Sequence, residues 1–352
     1  MNNTIRVSVI IPVYNVTSYL TECLTSLMHQ TLASVEFITV NDGSTDGSDL
    51  ILESFAQKDS RFRVVHQSNQ GVSVARNQGL LLAQGECVAF VDADDFVAND
   101  YLEQLYEAYI RHSVQIVVSN YTSQVDGKWV EFRKQFINNE IYSNLQIHHE
   151  IIAHFLNNDS LNTSWGKLFS RGLINSHDIF FPSGVTNGED AFFCMKAFAV
   201  AESLVFINNS GYHYREVYGS ASRNILAKNY LQIAVDAYSF DHQSYAQLIL
   251  PPDLIYRYKS QRFIENLYSL IHIYMCTKEY VPWVKRVKAV YQIIQHPKLN
   301  EALQSFGNSL EKTSFGYRKM MLRFMRRKFL LGIISLTAYS NFRNNYYFKS
   351  KN

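Results

Sequence analysis

The sequence predicts an α/β fold, a mostly parallel central sheet flanked by helices, followed by an α-helical C-terminal domain. Three observations predict it. Short apolar runs that read as strands alternate four times with segments of helical period before residue 96, the pattern of a parallel sheet covered by helices. From about Leu226 the apolar spacing is helical, broken at Pro251-Pro252, Pro282 and Pro297. The charge also divides: 15 basic and 27 acidic side chains up to Tyr256 give way to 18 basic and 4 acidic from Arg257 onward. A chain of 352 residues suits two domains, drawn at 1–222 and 223–352, and 47% hydrophobic content excludes general disorder.

Arg6–Asn15 is the first strand, with Pro12 marking its exit. Tyr19, Leu20, Cys23, Leu24, Leu27 and Met28 then share one helical face. Val35–Val40 is the second strand and runs into Asn41-Asp-Gly-Ser-Thr-Asp-Gly-Ser48. There Gly43 permits a tight turn, and Ser44, Thr45 and Asp46 suit a cap for the helix through Leu50, Ile51 and Phe55. Arg63–His66 is a third strand, and Gly71 opens a helix that leads to Gly85. Val88–Val91 continues as a fourth strand tipped with carboxylates. Leu102–Ile110 and Gln115–Ser119 follow as helix and strand. Beyond them the regularity loosens, with an antiparallel strand at Lys128–Phe136 and a helix at Asn144–Leu156. Gly188 starts a further helix, followed by strand Leu204–Ile207 and the segment Gly211–Arg215.

The acid tip, Asp92, Asp94 and Asp95, carries the chemistry. Like charges this close repel and resist burial, and packing calls for none of them. A divalent cation resolves the conflict: carboxylate oxygens suit Mg2+ or Mn2+, ions that keep waters and bridge to phosphates. The carboxyl ends of strands are also where open α/β sheets bind ligands. The competing reading is an acidic helix start before Tyr101. Asp42, at the tip of the second strand, can accept the N–H of a uracil base, with Tyr14 and Asn15 nearby as aromatic platform and polar edge. Arg76 either bridges phosphate and the acid tip or is an ordinary surface residue. Glu189 and Asp190 either complement a helix dipole or place a general base beside a cleft. His213, alone in an aromatic strand, reads first as structural.

The absences are informative too. No dinucleotide fingerprint, P-loop or nucleophile elbow is present, and His148–His154 misses zinc-protease spacing by one residue. Four widely spaced cysteines fit reduced thiols in a cytosolic protein, and the N-terminus lacks the basic region of a signal peptide.

Taken together, Pro12-Val-Tyr-Asn15, Asn41-Asp-Gly-Ser-Thr-Asp46, Asn69-Gln-Gly-Val-Ser-Val-Ala-Arg-Asn77, Val91-Asp-Ala-Asp-Asp95 and Gly188-Glu-Asp190 resemble the inverting nucleotide-sugar glycosyltransferases of family two, with the GT-A fold. Their order and spacing over roughly residues 5–220 carry the likeness, and bacterial capsule, exopolysaccharide and glycoprotein-decorating transferases look most similar. The resemblance implies a donor-binding part over 1–120 and an acceptor-side part over 121–222. It implies that Tyr14 and Asp42 hold the nucleotide base, usually uracil, while Pro12, Val13 and Asn15 shape the loop. Asp92-Ala93-Asp94 matches the D-x-D motif: Asp94 would bind Mn2+ or Mg2+, and Asp92 the ribose or the metal's waters. Asp95 and Arg76 would face sugar and diphosphate. Asp190, beside Glu189, would be the catalytic base. Lys167 and the His213–Arg215 segment match positions near the acceptor side and the metal or diphosphate. A single in-line displacement would then turn an α-linked donor into a β-glycoside on a growing glycan, whether lipid-linked or protein-linked.

The basic end of the chain falls outside that likeness. Within Tyr317–Leu331, a helical wheel puts Tyr317, Met320, Met321, Phe324 and Leu331 on one side, with Lys319, Arg323, Arg326 and Arg327 on an adjacent arc. That is the pattern of a helix lying on anionic lipid; the alternative is a packed helix with a solvated basic edge. Phe329–Ala338 is too short to span a bilayer. The expected setting is cytoplasmic, at the inner face of a membrane, and a homo-oligomer is compatible with it. Nucleic acid is not expected, because the acidic front repels phosphate and the tail lacks a recognition module. A catalytically silent subunit that keeps the fold is the other reading. Intact Asp92, Asp94 and Asp190 argue against it.

Overall fold

In the computed structural model the strands are, in chain order, β1 (Val7–Val13), β2 (Val35–Asp42), β3 (Phe62–Gln67), β4 (Cys87–Phe90), β5 (Phe96–Val97), β6 (Ile116–Ser119), β7 (Tyr121–Val125), β8 (Lys128–Phe132), β9 (Ile141–Ser143), β10 (Lys167–Ser170), β11 (Ser203–Ile207) and β12 (Tyr212–Tyr214). The structure describes residues 4–125, 127–185, 188–217, 229–276 and 281–349, with side chains as far as 343. Contacts divide the chain into two units, one of residues 1–155, 159–218 and 245–248, the other of 156–158, 219–244 and 249–352. The boundary drawn from sequence at 222/223, and Leu226 with it, lie outside the described residues.

Eight strands form one sheet in the order β3-β2-β1-β4-β10-β6-β11-β9. β3, β2, β1 and β4 run parallel, β10 is reversed against both its neighbours, β11 is parallel to β6 and β9 closes the edge antiparallel. β1 and β2 are apolar runs buried on both faces, as central strands of a covered sheet must be. The helices Thr17–Met28, Ser48–Lys58 and Val72–Leu82 make the crossovers. Gly79 lets the last of these close on β1: a Cβ there would meet Ile10 Cγ2 at 2.4 Å. The outcome for the site is positional. Four parallel strands deliver their loops to one edge.

β5, β12, β7 and β8 form a second, smaller sheet. β8 ends at Phe132 rather than running to Phe136, because Phe136 leaves the exposed edge and stacks on Phe206 at 4.5 Å. The segment expected as a helix from Asn144 to Leu156 is helical but not uniform. It winds as a π-helix over Ile147–Ile152, where buried His148 places Nε2 2.9 Å from the Ala199 carbonyl while Ile147, Ile151 and Ile152 stay in the core.

The second unit is helical and is built on the 25-residue helix Pro252–Cys276. Its Phe263, Ile264, Leu267 and Ile271 join Ile293, Ile294, Leu299, Met321, Met325 and Ile333 in one core. This corrects the wheel drawn for Tyr317–Leu331. Met321 is fully buried, so it faces away from exposed Met320 and Leu331. Arg323 and Arg326 of the expected basic arc pair with Glu311, and Arg318 pairs with Glu265. Among the described residues no helix is long and apolar enough to cross a membrane.

Candidate active site

The loops after β1 and β2 are stitched together. Asn15, in the left-handed region at φ +48°, donates its N–H to Ser44 Oγ at 3.1 Å, and its Oδ1 accepts the Thr45 N–H at 2.8 Å. Asp46 accepts from the Thr17 N–H at 2.9 Å, the Ser48 N–H at 3.0 Å and the Ser48 hydroxyl at 2.6 Å. It therefore serves the starts of two helices, one more than expected from sequence. Burial acts to raise its pKa, but the bonds from Ser48 and Thr17 outweigh it and hold the carboxyl well below the usual range. Asp46→Ala is expected to cost about 1 kcal/mol at neutral pH, as for a lost helix cap. Because the folded pKa is the lower one, this contribution is complete above the unfolded value and is lost as pH falls through the folded value. Urea denaturation of both proteins at neutral and strongly acid pH should show the gap closing.

Asp42 has more structural work than its sequence position suggests. Its Oδ1 accepts from Gln67 Nε2 and the Gln70 N–H, and its Oδ2 from the Gly71 N–H, each at 2.8 Å. The buried carboxylate thus pins the loop after β3, with three of about four acceptor positions in use. Tyr14, 52% exposed, follows Val13, which pairs with Asn41 in the register of β1 on β2, while Pro12 and Val13 belong to β1 itself.

Arg76 joins what the sequence keeps apart. The guanidinium is 4% exposed, so it is no surface residue. Nη2 donates to Asp92 Oδ1 at 2.9 Å, and Nη1 donates to Asp190 Oδ1 at 2.7 Å and Glu189 Oε1 at 3.2 Å. The plane lies 5.2 Å from the centre of the Phe181 ring, and Asn77 holds that residue by exchanging two 2.8 Å hydrogen bonds with its backbone. Burial opposes the charge on Arg76, but Asp190, Asp92 and Glu189 outweigh it and keep the side chain cationic. The second oxygen of Asp190 accepts the Ser164 N–H at 3.1 Å. Both oxygens of the candidate base are therefore fixed. Neither Ser164 nor Phe181 was legible as part of the site; Asn77 sat inside a motif but had no assigned role.

Several expected positions differ. Asp95 is 1% exposed and turns inward: Oδ2 accepts the Tyr212 hydroxyl and Oδ1 the Arg215 N–H, both at 2.8 Å. That burial does not fit a sugar-facing role. Lys167 lies in β10 and is equally buried, with its ammonium on the Thr163 carbonyl. Desolvation lowers its pKa, and a side chain this buried does not fit an open acceptor face. His213 stacks on Phe96 at 4.6 Å, meets Trp129 edge-on at 5.6 Å and engages Thr122 through Nδ1. It is not gathered with the carboxylates. Arg215 is gathered with them, donating Nε to the Asp94 carbonyl at 2.9 Å while pairing with Glu22 at 2.9 Å. The helix-start reading of the acid tip fails, since Asp95 precedes β5 and the helix Tyr101–His112 begins after it.

Oxygens of Asp92, Asp94 and Asp95 lie within 4.8 Å of one another, and Ala93 is buried between them. Burial raises the pKa of all three, and mutual repulsion adds to the effect at Asp92 and Asp95. With Glu22, Glu189 and Asp190, six carboxyl groups among the described residues meet two guanidinium groups, so the site carries excess negative charge when ionised. An all-oxygen donor set in such a field fits Mg2+ or Mn2+.

The sequence model of glycosyl transferase family 2 matches residues 8–177. Glycosyltransferase GlyA of Streptococcus pneumoniae serotype 4 is 35% identical over 243 residues, 66% of this chain but 34% of GlyA. Glycosyltransferase GlyG of the same organism is 30% identical over 238 residues, 66% of this chain and 78% of GlyG. The crystal structure of S. aureus TarS 1–349 in complex with UDP superposes with a TM-score of 0.59 over 97% of this chain and 92% of that one, at 21% identity. The fold likeness thus extends through the helical region.

Proposed function

The chain belongs to glycosyl transferase family 2, and we propose that it transfers a sugar from a nucleotide-sugar, a UDP-sugar by preference, to a hydroxyl of a growing glycan with inversion. The observation that carries this reading is the bridge made by Arg76, which sets the candidate base Asp190 beside the D-x-D carboxylate Asp92. Inverting transfer needs both at once: a proton acceptor for the attacking hydroxyl and a site for the departing diphosphate.

Tyr14 offers an open aromatic face to the base, and Asp42 retains one acceptor position for its N–H. Asp92 and Asp94 would hold Mn2+ or Mg2+, which when bound supplies positive charge to offset the negative charge developing on the leaving group. Asp95 is assigned a positioning role, anchoring Tyr212 and Arg215 behind the pair. Arg215, less buried than Arg76, is the cation assigned to the diphosphate. Asp190 takes the proton of the acceptor hydroxyl as its oxygen attacks the anomeric carbon. The bond to the diphosphate breaks in the same displacement. Residues 1–222 would carry this chemistry. An acceptor borne on a lipid would bring the protein to a membrane surface, and the basic helical region 223–352 suits that setting.

Calorimetry of UDP binding tests the donor half. Affinity in Mn2+ is expected to fall at least roughly tenfold in EDTA or in Asp94→Asn, given the charge that the ion contributes. Equal affinity in all three conditions would remove the metal from the account.

A further inference from the structure

We propose that the helical unit holds a groove for one hydrocarbon chain of an anionic membrane lipid, between the helices Gly316–Arg326 and Leu330–Lys349. Tyr317, Met320 and Phe324 line one side, and Leu331 and Tyr339 the other, around a space of about 590 Å³. That volume is in the range of sites that enclose small organic ligands. Gly332 makes the walls possible. A Cβ there would lie 2.4 Å from the Phe329 ring and 2.9 Å from the Phe324 ring.

The occupant follows from two properties. The lining is apolar yet open to water: Leu331 is 69% and Tyr339 60% exposed, and Met320 and Phe329 are each nearly half exposed. A continuous surface of that kind marks a place of contact. The two helices that build it carry charge of one sign in sequence. From Phe315 onward the sequence has nine lysines and arginines and no aspartate or glutamate. Glu265 and Glu311, from other helices, partner Arg318, Arg323 and Arg326, and exposed Arg343 lines the groove itself. A neutral apolar ligand would leave the cations unused, and a soluble anion would leave the groove unused. An anionic lipid uses both, with its chain in the groove and its phosphate beside Arg343. The chain would cover the exposed apolar lining, and that burial adds to the attraction between the basic residues and an anionic surface.

This inference deepens the membrane part of the reading above, and its test is scored separately from transfer. Wild type and Ser335→Trp would be floated with vesicles of phosphatidylcholine alone and with vesicles containing phosphatidylglycerol. Ser335 lines the groove and is exposed, so the indole fills the groove without removing a charge. Wild type is expected to float only with the anionic vesicles, and Ser335→Trp to lose at least roughly tenfold in apparent affinity for them. Equal or tighter binding by Ser335→Trp overturns the groove, since flat adsorption of a basic apolar surface would gain from an added tryptophan. Equal binding to both vesicles, or none to either, overturns it as well. Thermal unfolding and UDP calorimetry on the variant show that it is folded and keep failure of the groove apart from failure of the transferase reading.

Discussion

Arg76→Met is expected to destabilise the protein by roughly 3–5 kcal/mol and to reduce transfer at least a hundredfold beyond the loss of folded protein. Among the described residues the guanidinium is the one cation shared by Asp92, Glu189 and Asp190, and its removal leaves three carboxylates facing one another in a poorly solvated space. Those groups would respond by taking up protons or moving apart, and either response disables a base and a metal ligand together. Arg76→Lys separates charge from geometry. A single ammonium cannot span three carboxylates as a planar fork does, so this variant should fold well but remain slow. Adding Glu189→Gln to Arg76→Met should recover part of the lost stability without recovering rate, because it relieves repulsion and restores no alignment. Urea denaturation and steady-state kinetics on the four proteins check each statement.

Asp190→Asn is expected to lower kcat by about 10²–10⁴ while leaving the donor KM near its wild-type value. The amide keeps the size of the carboxylate and can still receive the Arg76 N–H on its oxygen, giving up the bond from the Ser164 N–H, so position is largely kept and basicity is lost. Glu189→Gln is the contrast. Glu189 contacts Arg76 at 3.2 Å, against 2.7 Å for Asp190, and its loss should cost less than about tenfold. If Glu189→Gln proved the slower enzyme, the two roles would be reversed.

The parallel half of the sheet was legible because each strand is an apolar run ending in a motif, and parallel strands bring their ends to one edge. That is how Tyr14, Asp42 and the acid tip reach one edge of the sheet from three segments. The bridge from Arg76 to Glu189 and Asp190 was not legible, since it crosses more than a hundred residues and a helix shows no sign of which face meets which partner. Burial was hidden in the same way. Asp95 and Lys167 look like ligand-facing charges in the sequence, but one is taken by Tyr212 and Arg215 and the other by the Thr163 carbonyl. In the helical unit the wheel found the amphipathic segment. It could not know that Met321 faces the core or that Glu311 lies within reach of Arg323 and Arg326.

Donor turnover tests the central claim most directly. Purified protein would be incubated with UDP-, GDP-, CDP- and dTDP-sugars in Mn2+ or Mg2+, with glycan acceptors present, and free nucleotide measured with and without EDTA. Release of UDP from a UDP-sugar is expected, abolished by EDTA and by Asp94→Asn and strongly slowed in Asp190→Asn. No release from any donor, together with no binding of UDP in the presence of metal, would contradict it.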